Sequence, residues 1–157
     1  MPAGEDVRPA ALMAKPSWLI SEVSRLAHPL ITGKLATAGS RGYHYRLLAA
    51  LAEFGPASQA SLGRRTGMDR SDVAAAVSEL AGRGLAGRIP DPADRRRNVI
   101  SITPAGAAHL RRLEELLAEV QDELLAPLSP AERQQLIRLL NRILEHHAWP
   151  PARPEPG

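Results

Sequence analysis

The chain has 157 residues, 44% hydrophobic and 24% charged but only 3% aromatic, so its core is built from Ala, Leu, Ile and Val, which favours helix over sheet. The absence of cysteine excludes disulfide scaffolding, thiolate metal sites and thiol redox sensing, and no apolar run reaches the roughly 18 residues that a membrane span requires. The net charge of +3 is unevenly placed, with ten Arg against six acids in residues 41–106 and five Arg against seven acids in 107–149, so the middle of the chain is suited to a polyanion unless its Arg-rich surface is simply solvated.

Seven of the fourteen prolines stand in the first sixteen and last eight residues, so 1–16 and 148–157 are expected to be disordered tails. The first residues carry Glu5 and Asp6 and lack a basic-then-apolar pattern. No secretory signal is therefore read there, and cytoplasm is the expected compartment. A helix is predicted over 17–38, with Ser17 as its N-cap and Trp18, Leu19, Val23, Leu26, Leu30 and Ile31 at helical spacing. Pro29 inside it is expected to bend or divide it. After a break bracketed by Gly39 and Gly42, a second helix spans 43–54, turns Leu47, Leu48 and Leu51 inward and ends at Gly55-Pro56.

A short helix over 58–66 starts on Ser58 and stops at Gly67. The next starts after Asp69, with Asp72 in the position of a reciprocal capping partner. Val73, Ala76, Val77 and Leu80 form its inner stripe, and Gly84 ends it. The period then changes to two. Residues 85–89 and 99–103 read as short strands flanking a polar loop, with Ile100 and Ile102 pointing one way and Val99, Ser101 and Thr103 the other. Thr103-Pro104 opens a helix to about 125, and Ser129-Pro130-Ala131-Glu132 opens the last one, to about 147.

The expected fold class is therefore mainly α with a two-stranded β-wing. Two helices meet at the tight Thr66-Gly67-Met68 turn, and a hairpin follows whose tip, Asp91 to Asn98, holds Arg95, Arg96 and Arg97. Arginine stays charged and fits phosphates or a narrow minor groove. A carboxylate beside it, Asp94, would brace one guanidinium in a fixed pose.

The stretch Leu62-Gly63-Arg64-Arg65-Thr66-Gly67, then Val73 to Leu85, Arg88, Asp91-Pro92, Asp94-Arg95-Arg96 and Ile102-Thr103-Pro104-Ala105-Gly106 resembles the MarR family of regulators. Ile102 replaces the Leu usual in that pattern. The resemblance implies a winged helix-turn-helix lobe over 41–106, with 17–40 and 107–147 pairing two copies. It also implies a homodimer on a pseudo-palindromic site in double-stranded DNA, usually repressing nearby genes, and a small-molecule effector that weakens binding. On this resemblance Asp94 is the wing acid and Arg96 the minor-groove arginine, with Arg95 and Arg97 as phosphate or flanking contacts. Asp69, Arg70, Ser71 and Asp72 begin the helix that meets base edges.

Arg70 has the chemistry to pair bidentately with guanine, and Ser71 to reach a base or a phosphate. Ser78 suits a phosphate. Asp72 suits the helix dipole better than a base. Arg64, Arg65 and Arg88 are either phosphate contacts or solvated surface. Of the five histidines, His28 and His44 are placed with Arg46 at the border of an effector cleft, against the plainer reading of ordinary surface or core residues. His146 and His147, being adjacent, are expected to point apart, which argues against a shared metal. Nothing in the pattern calls for a cofactor, and no nucleophile elbow or phosphate loop indicates an enzyme. Two alternatives stay open: a winged helix that binds DNA without an effector, and a winged helix used as a protein-interaction module.

Overall fold

Residues 7–147 are described by the computed structural model, in the order α1 (Ala10–Met13), α2 (Pro16–Ala36), α3 (Gly42–Phe54), α4 (Gln59–Thr66), α5 (Arg70–Gly82), β1 (Ala86–Pro90), β2 (Asn98–Ile102), α6 (Pro104–Leu124) and α7 (Pro130–His146). The mainly α architecture with a two-stranded antiparallel wing matches the expectation from sequence. Three helix starts follow the expected local chemistry. Ser58 accepts from the Ser61 N–H, Thr103 from the Gly106 N–H, and Ser129 from the Glu132 N–H while the Glu132 carboxylate accepts from the Ser129 N–H.

The N-terminal region departs from expectation. A one-turn helix, α1, lies inside the stretch read as a disordered tail; residues 1–6 and 148–157 lie outside the described residues. Helix α2 starts at Pro16, with Lys15 as its N-cap, so Ser17 sits within the first turn rather than capping it. The proline supplies a preset helical φ at the position where its missing N–H costs nothing. Pro29 does not divide the helix, which continues through it to Ala36 on an exposed face.

The core gathers Leu35 of α2, Leu47, Leu48 and Leu51 of α3, Leu62 of α4, Met68, Val73, Ala76, Val77 and Leu80 around the helix-turn-helix, Leu85 and Ile100 of the wing base, and Leu113 and Leu116 of α6. The strands pair from Ala86 with Ile102 to Pro90 with Asn98. The expected alternation along β2 is not clean: Val99, opposite Ile89, is buried as well as Ile100. Val99 lies outside the core cluster, so both faces of the strand are covered at this level.

The wing also has a third contact that the sequence pattern does not reveal. Ala57, in the α3–α4 connection, donates to the Ile100 carbonyl at 3.0 Å and accepts from the Ile100 N–H at 2.8 Å. The hairpin is thereby tied to the entrance of the helix-turn-helix. At its other end Gly106 seats α6 against the wing base. A Cβ there would stand 1.9 Å from the Leu85 carbonyl oxygen, so only glycine fits. Thr103 completes the joint by donating its hydroxyl to the Gly84 carbonyl at 2.6 Å.

Candidate nucleic-acid interface

The tight turn between α4 and α5 is made by Gly67, whose φ of 68° lies in the left-handed region that glycine enters without steric cost. Arg64 of α4 and Arg70 at the first position of α5 border one recess of about 420 Å³ with Gln59, Ala60 and Gly63. Asp69 occupies the N-cap of α5 with extended backbone, but its side chain does not form the expected cap bond, and Asp72 sits half-buried in the first turn. The acid still lies where the helix dipole favours it.

The outward face of α5 is polar and small. Ser71, Ala75 and Ser78 fall at i, i+4 and i+7 and are all exposed, whereas Ala76 is fully buried. Of the three consecutive alanines 74–76, Ala75 is the exposed one. This face carries no bulky side chain that would hold the helix away from a groove.

The wing tip is a braced turn. Asp91 accepts from the Ala93 N–H at 2.9 Å and its own N–H donates to the Arg97 carbonyl at 2.8 Å. Asp94 accepts from the Arg96 backbone N–H at 3.1 Å and from its Nε at 3.3 Å, while Arg97 Nε lies 3.8 Å from the second carboxylate oxygen. The Arg96 side chain is 93% exposed. The carboxylate thus orients two guanidiniums without burying them, and Arg95 is exposed beside them. Arg88 stands exposed on β1, opposite Ile100 in register. Arg65 lies over the Phe54 ring at 4.5 Å, which fixes its direction along the edge of α4.

The three residues placed at an effector cleft have different surroundings. His28 is exposed on α2. His44 is buried, its Nδ1 accepting from the Arg41 N–H at 3.0 Å and its Nε2 bonded to the Glu79 carboxylate. That pairing assigns the ring proton to Nε2. Arg46 lies over Tyr43 and borders a different, open recess of about 410 Å³ with Tyr45, Ala49, Glu53, Phe54, Arg65 and Thr66. Residues two apart on a helix do not share a face, which is why His44 and Arg46 diverge.

The rings of His146 and His147 do not point apart: their centroids are 4.9 Å apart, edge to face. His147 is the C-cap of α7, with φ −92° and ψ 13°. Among the described residues, no group of three or more His, Asp or Glu is placed to hold a metal ion. Nor, among those residues, is any helix long and apolar enough to cross a membrane.

The MarR family model matches residues 39–97, from the α2–α3 junction through the wing tip. A crystal structure described as a probable transcriptional regulator from Pseudomonas aeruginosa is 32% identical, with 84% of this chain and 98% of that one aligned at a TM-score of 0.73. The chain belongs to the MarR family. The PcaV transcriptional regulator from Streptomyces coelicolor, solved in complex with its natural ligand, is 29% identical, with 90% of this chain and 98% of that one aligned at a TM-score of 0.71. The transcriptional repressor NicR of Pseudomonas putida is 32% identical over 98 residues, 62% of each chain. This chain spans less than two thirds of the length of the first curated relatives it matches. These relatives are named as regulators, and none of them as an enzyme.

Sequence reasoning missed a set of polar residues around the C-terminal end of α5: Ser40, Arg41, Glu79, Arg83 and His109. Arg41 donates to both Glu79 oxygens at 2.7 Å, and Arg83 donates to the Gly39 and Ala38 carbonyls at 2.7 and 3.2 Å. Ser40 is bonded to His109 Nε2 at 2.7 Å. Glu79 is held below the usual carboxylate range by its hydrogen bonds from His44 and then Arg41. His109 is pushed down by burial first, and then by the positive charge of Arg83. The sequence signal was the spacing of Glu79 and Arg83, four residues apart at the C-terminal end of α5.

Proposed function

We propose that the protein is a sequence-specific, homodimeric regulator of transcription, a repressor released from its operator by a small-molecule effector. The supporting observation is the pairing, on one lobe, of a short-chained exposed α5 face with a carboxylate-braced arginine wing. In this reading Arg70 and Ser71 meet base edges in the major groove, with Asp69 at the helix start. Ser78, Arg64, Arg65 and Arg88 meet phosphates. Arg96 enters the adjacent minor groove in the pose that Asp94 gives it, flanked by Arg95 and Arg97. Two copies would place their recognition helices about 34–36 Å apart, one turn of DNA.

The dimer is supported by the terminal helices. In the single chain Ile20, Val23 and Leu26 of α2 and Ile137, Leu139, Leu140, Ile143 and Leu144 of α7 are between 38% and 63% exposed. No residue of α7 is buried. Such faces fit a partner surface, and in this reading the partner is a second copy. On this basis residues 17–40 and 107–147 form the pairing region and 41–106 the DNA-binding lobe. Repression is supported by the name of NicR, and an effector by the ligand-bound PcaV structure. His28 and Arg46 remain candidates for the effector cleft, whereas His44 would have to release Glu79 to take part.

The test is Arg96→Ala in titrations of a fluorescent duplex carrying the sequence upstream of the protein's own gene. Affinity is expected to fall about tenfold with the dimer mass unchanged, and the slope against salt to shallow by about one phosphate contact. Equal affinity of wild type and variant would refute the wing assignment. Thermal-shift screening against small metabolites separates effector-controlled from constitutive binding.

A further inference from the structure

We propose that Glu79 and Arg83 are positioning residues that set the spacing between the two recognition helices, an inference that rests on the duplex-binding reading above. Glu79 lies in the last turn of α5 and Arg83, four residues on, is the residue that caps its C-terminus. Among the described residues, the hydrogen-bond partners of both side chains lie in residues 38–44, between the end of α2 and the first turn of α3. Glu79 takes two bonds from Arg41 at 2.7 Å and one from His44. Arg83 donates to Gly39 O at 2.7 Å, Ala38 O at 3.2 Å and Ser40 Oγ at 3.3 Å. Buried Ser40 passes the connection on to His109 of α6.

An arginine at the end of a recognition helix is ordinarily read as a phosphate ligand. Here its donors face inward, toward three protein acceptors. The apolar back of α5 consists of Val73, Ala76, Val77 and Leu80, short side chains that hold the helix against the core but offer few long knobs to fix its tilt. The polar clamp supplies that direction, and it does so against the ends of α2, α3 and α6. Helices α2 and α6 are also joined to each other, by Lys34 and Glu119 at 2.7 Å. The orientation of the reading helix relative to the pairing helices therefore runs through residues 38–44.

The Arg41 and Glu79 side chains are 56% and 43% exposed. Ion pairs this wet contribute little to global stability, so geometry, not melting temperature, is what their removal should change. The experiment uses full-length protein and duplexes selected in vitro by the wild type, at the selected half-site separation and with one base pair inserted or removed. Wild type is expected to lose about tenfold or more in affinity on the altered duplexes. Glu79→Ala and Arg83→Met, each with unchanged helical circular dichroism and dimer mass, are expected to lose less than about threefold. Arg83→Lys, which keeps a cation within reach of the Gly39 carbonyl, should restore most of the wild-type penalty.

An unchanged spacing penalty in both variants would overturn the proposal. So would an equal loss at every separation, or the failure of both variants to fold, which would make these residues general supports of the lobe. A wild-type protein that prefers no duplex at all would instead refute the DNA-binding reading itself.

Discussion

The winged lobe and the terminal helices use apolar residues in opposite ways. In the lobe, Leu47, Leu48, Leu51, Leu62, Val73 and Leu80 are at most 1% exposed. In α7, Leu139, Leu140, Ile143 and Leu144 are 38–48% exposed, and Arg133 ties only the first turn of the helix to Asp122 of α6. The lobe is thus closed by its own chain. Helix α7 has an amphipathic pattern just as regular, but among the described residues nothing buries its apolar face. Periodicity alone shows that a face is apolar; it does not say whose atoms will cover it.

The largest expected effect falls on the open region. Leu140→Asp combined with Ile143→Asp should remove about 3–6 kcal/mol from pairing, at roughly 1.5–3 kcal/mol per buried aliphatic side chain, raising the dimer dissociation constant at least a hundredfold. Sedimentation would read this as monomer, while the lobe keeps its helical signal. A dimer of undiminished affinity would mean that these faces meet something other than a second copy.

Gly106→Ala tests the closed region. The added methyl collides with the Leu85 carbonyl, which is backbone and has no rotamer to escape into. Overpacking of this kind costs about 1–3 kcal/mol, with more where backbone must shift. Chemical denaturation should show a lower midpoint at unchanged slope, and the loss should persist in the monomeric variant. An effect that disappears in the monomer would place the strain in the interface instead.

The smallest effect concerns the seam between the two regions. His109 titrates below the ordinary imidazole value of 6.5 because burial and Arg83 disfavour its charged form. A depressed folded-state value means that the unfolded chain binds the proton more readily. The contribution to stability is therefore present above 6.5 and is lost as pH falls through 6.5 toward the lowered value. Melting temperatures measured across that window should fall more for wild type than for His109→Gln. Parallel curves would show that the Ser40–His109 bond does not depend on the neutral ring.

What was legible in the sequence was local. Ser58, Thr103 and Ser129 announce their helices because a cap bond joins residues three apart, and Gly67 announces its turn through its own φ. Asp94 and Arg96 could be paired for the same reason. Long-range partners could not be read. Arg41 and Glu79 are 38 residues apart, and nothing in the spacing says that α5 will lay its last turn beside the start of α3. His44, placed at an effector cleft by its position on a helix, proves to be bonded to Glu79 because tertiary packing, not periodicity, chose its neighbour. At the N-terminus two valid signals competed. Ser17 is a good cap residue, but Pro16 before it is a better first helical residue, and the cap falls two positions earlier, at Lys15.

The pair of hydrogen bonds between Ala57 and Ile100 bears on how the lobe can move. A hairpin hinged only at its own base could flap to suit a substrate. This one is stitched from the side to the segment that leads into α4, so the β-ribbon is held at two places rather than one. Amide exchange at positions 57 and 100 should accordingly be as slow as in the core.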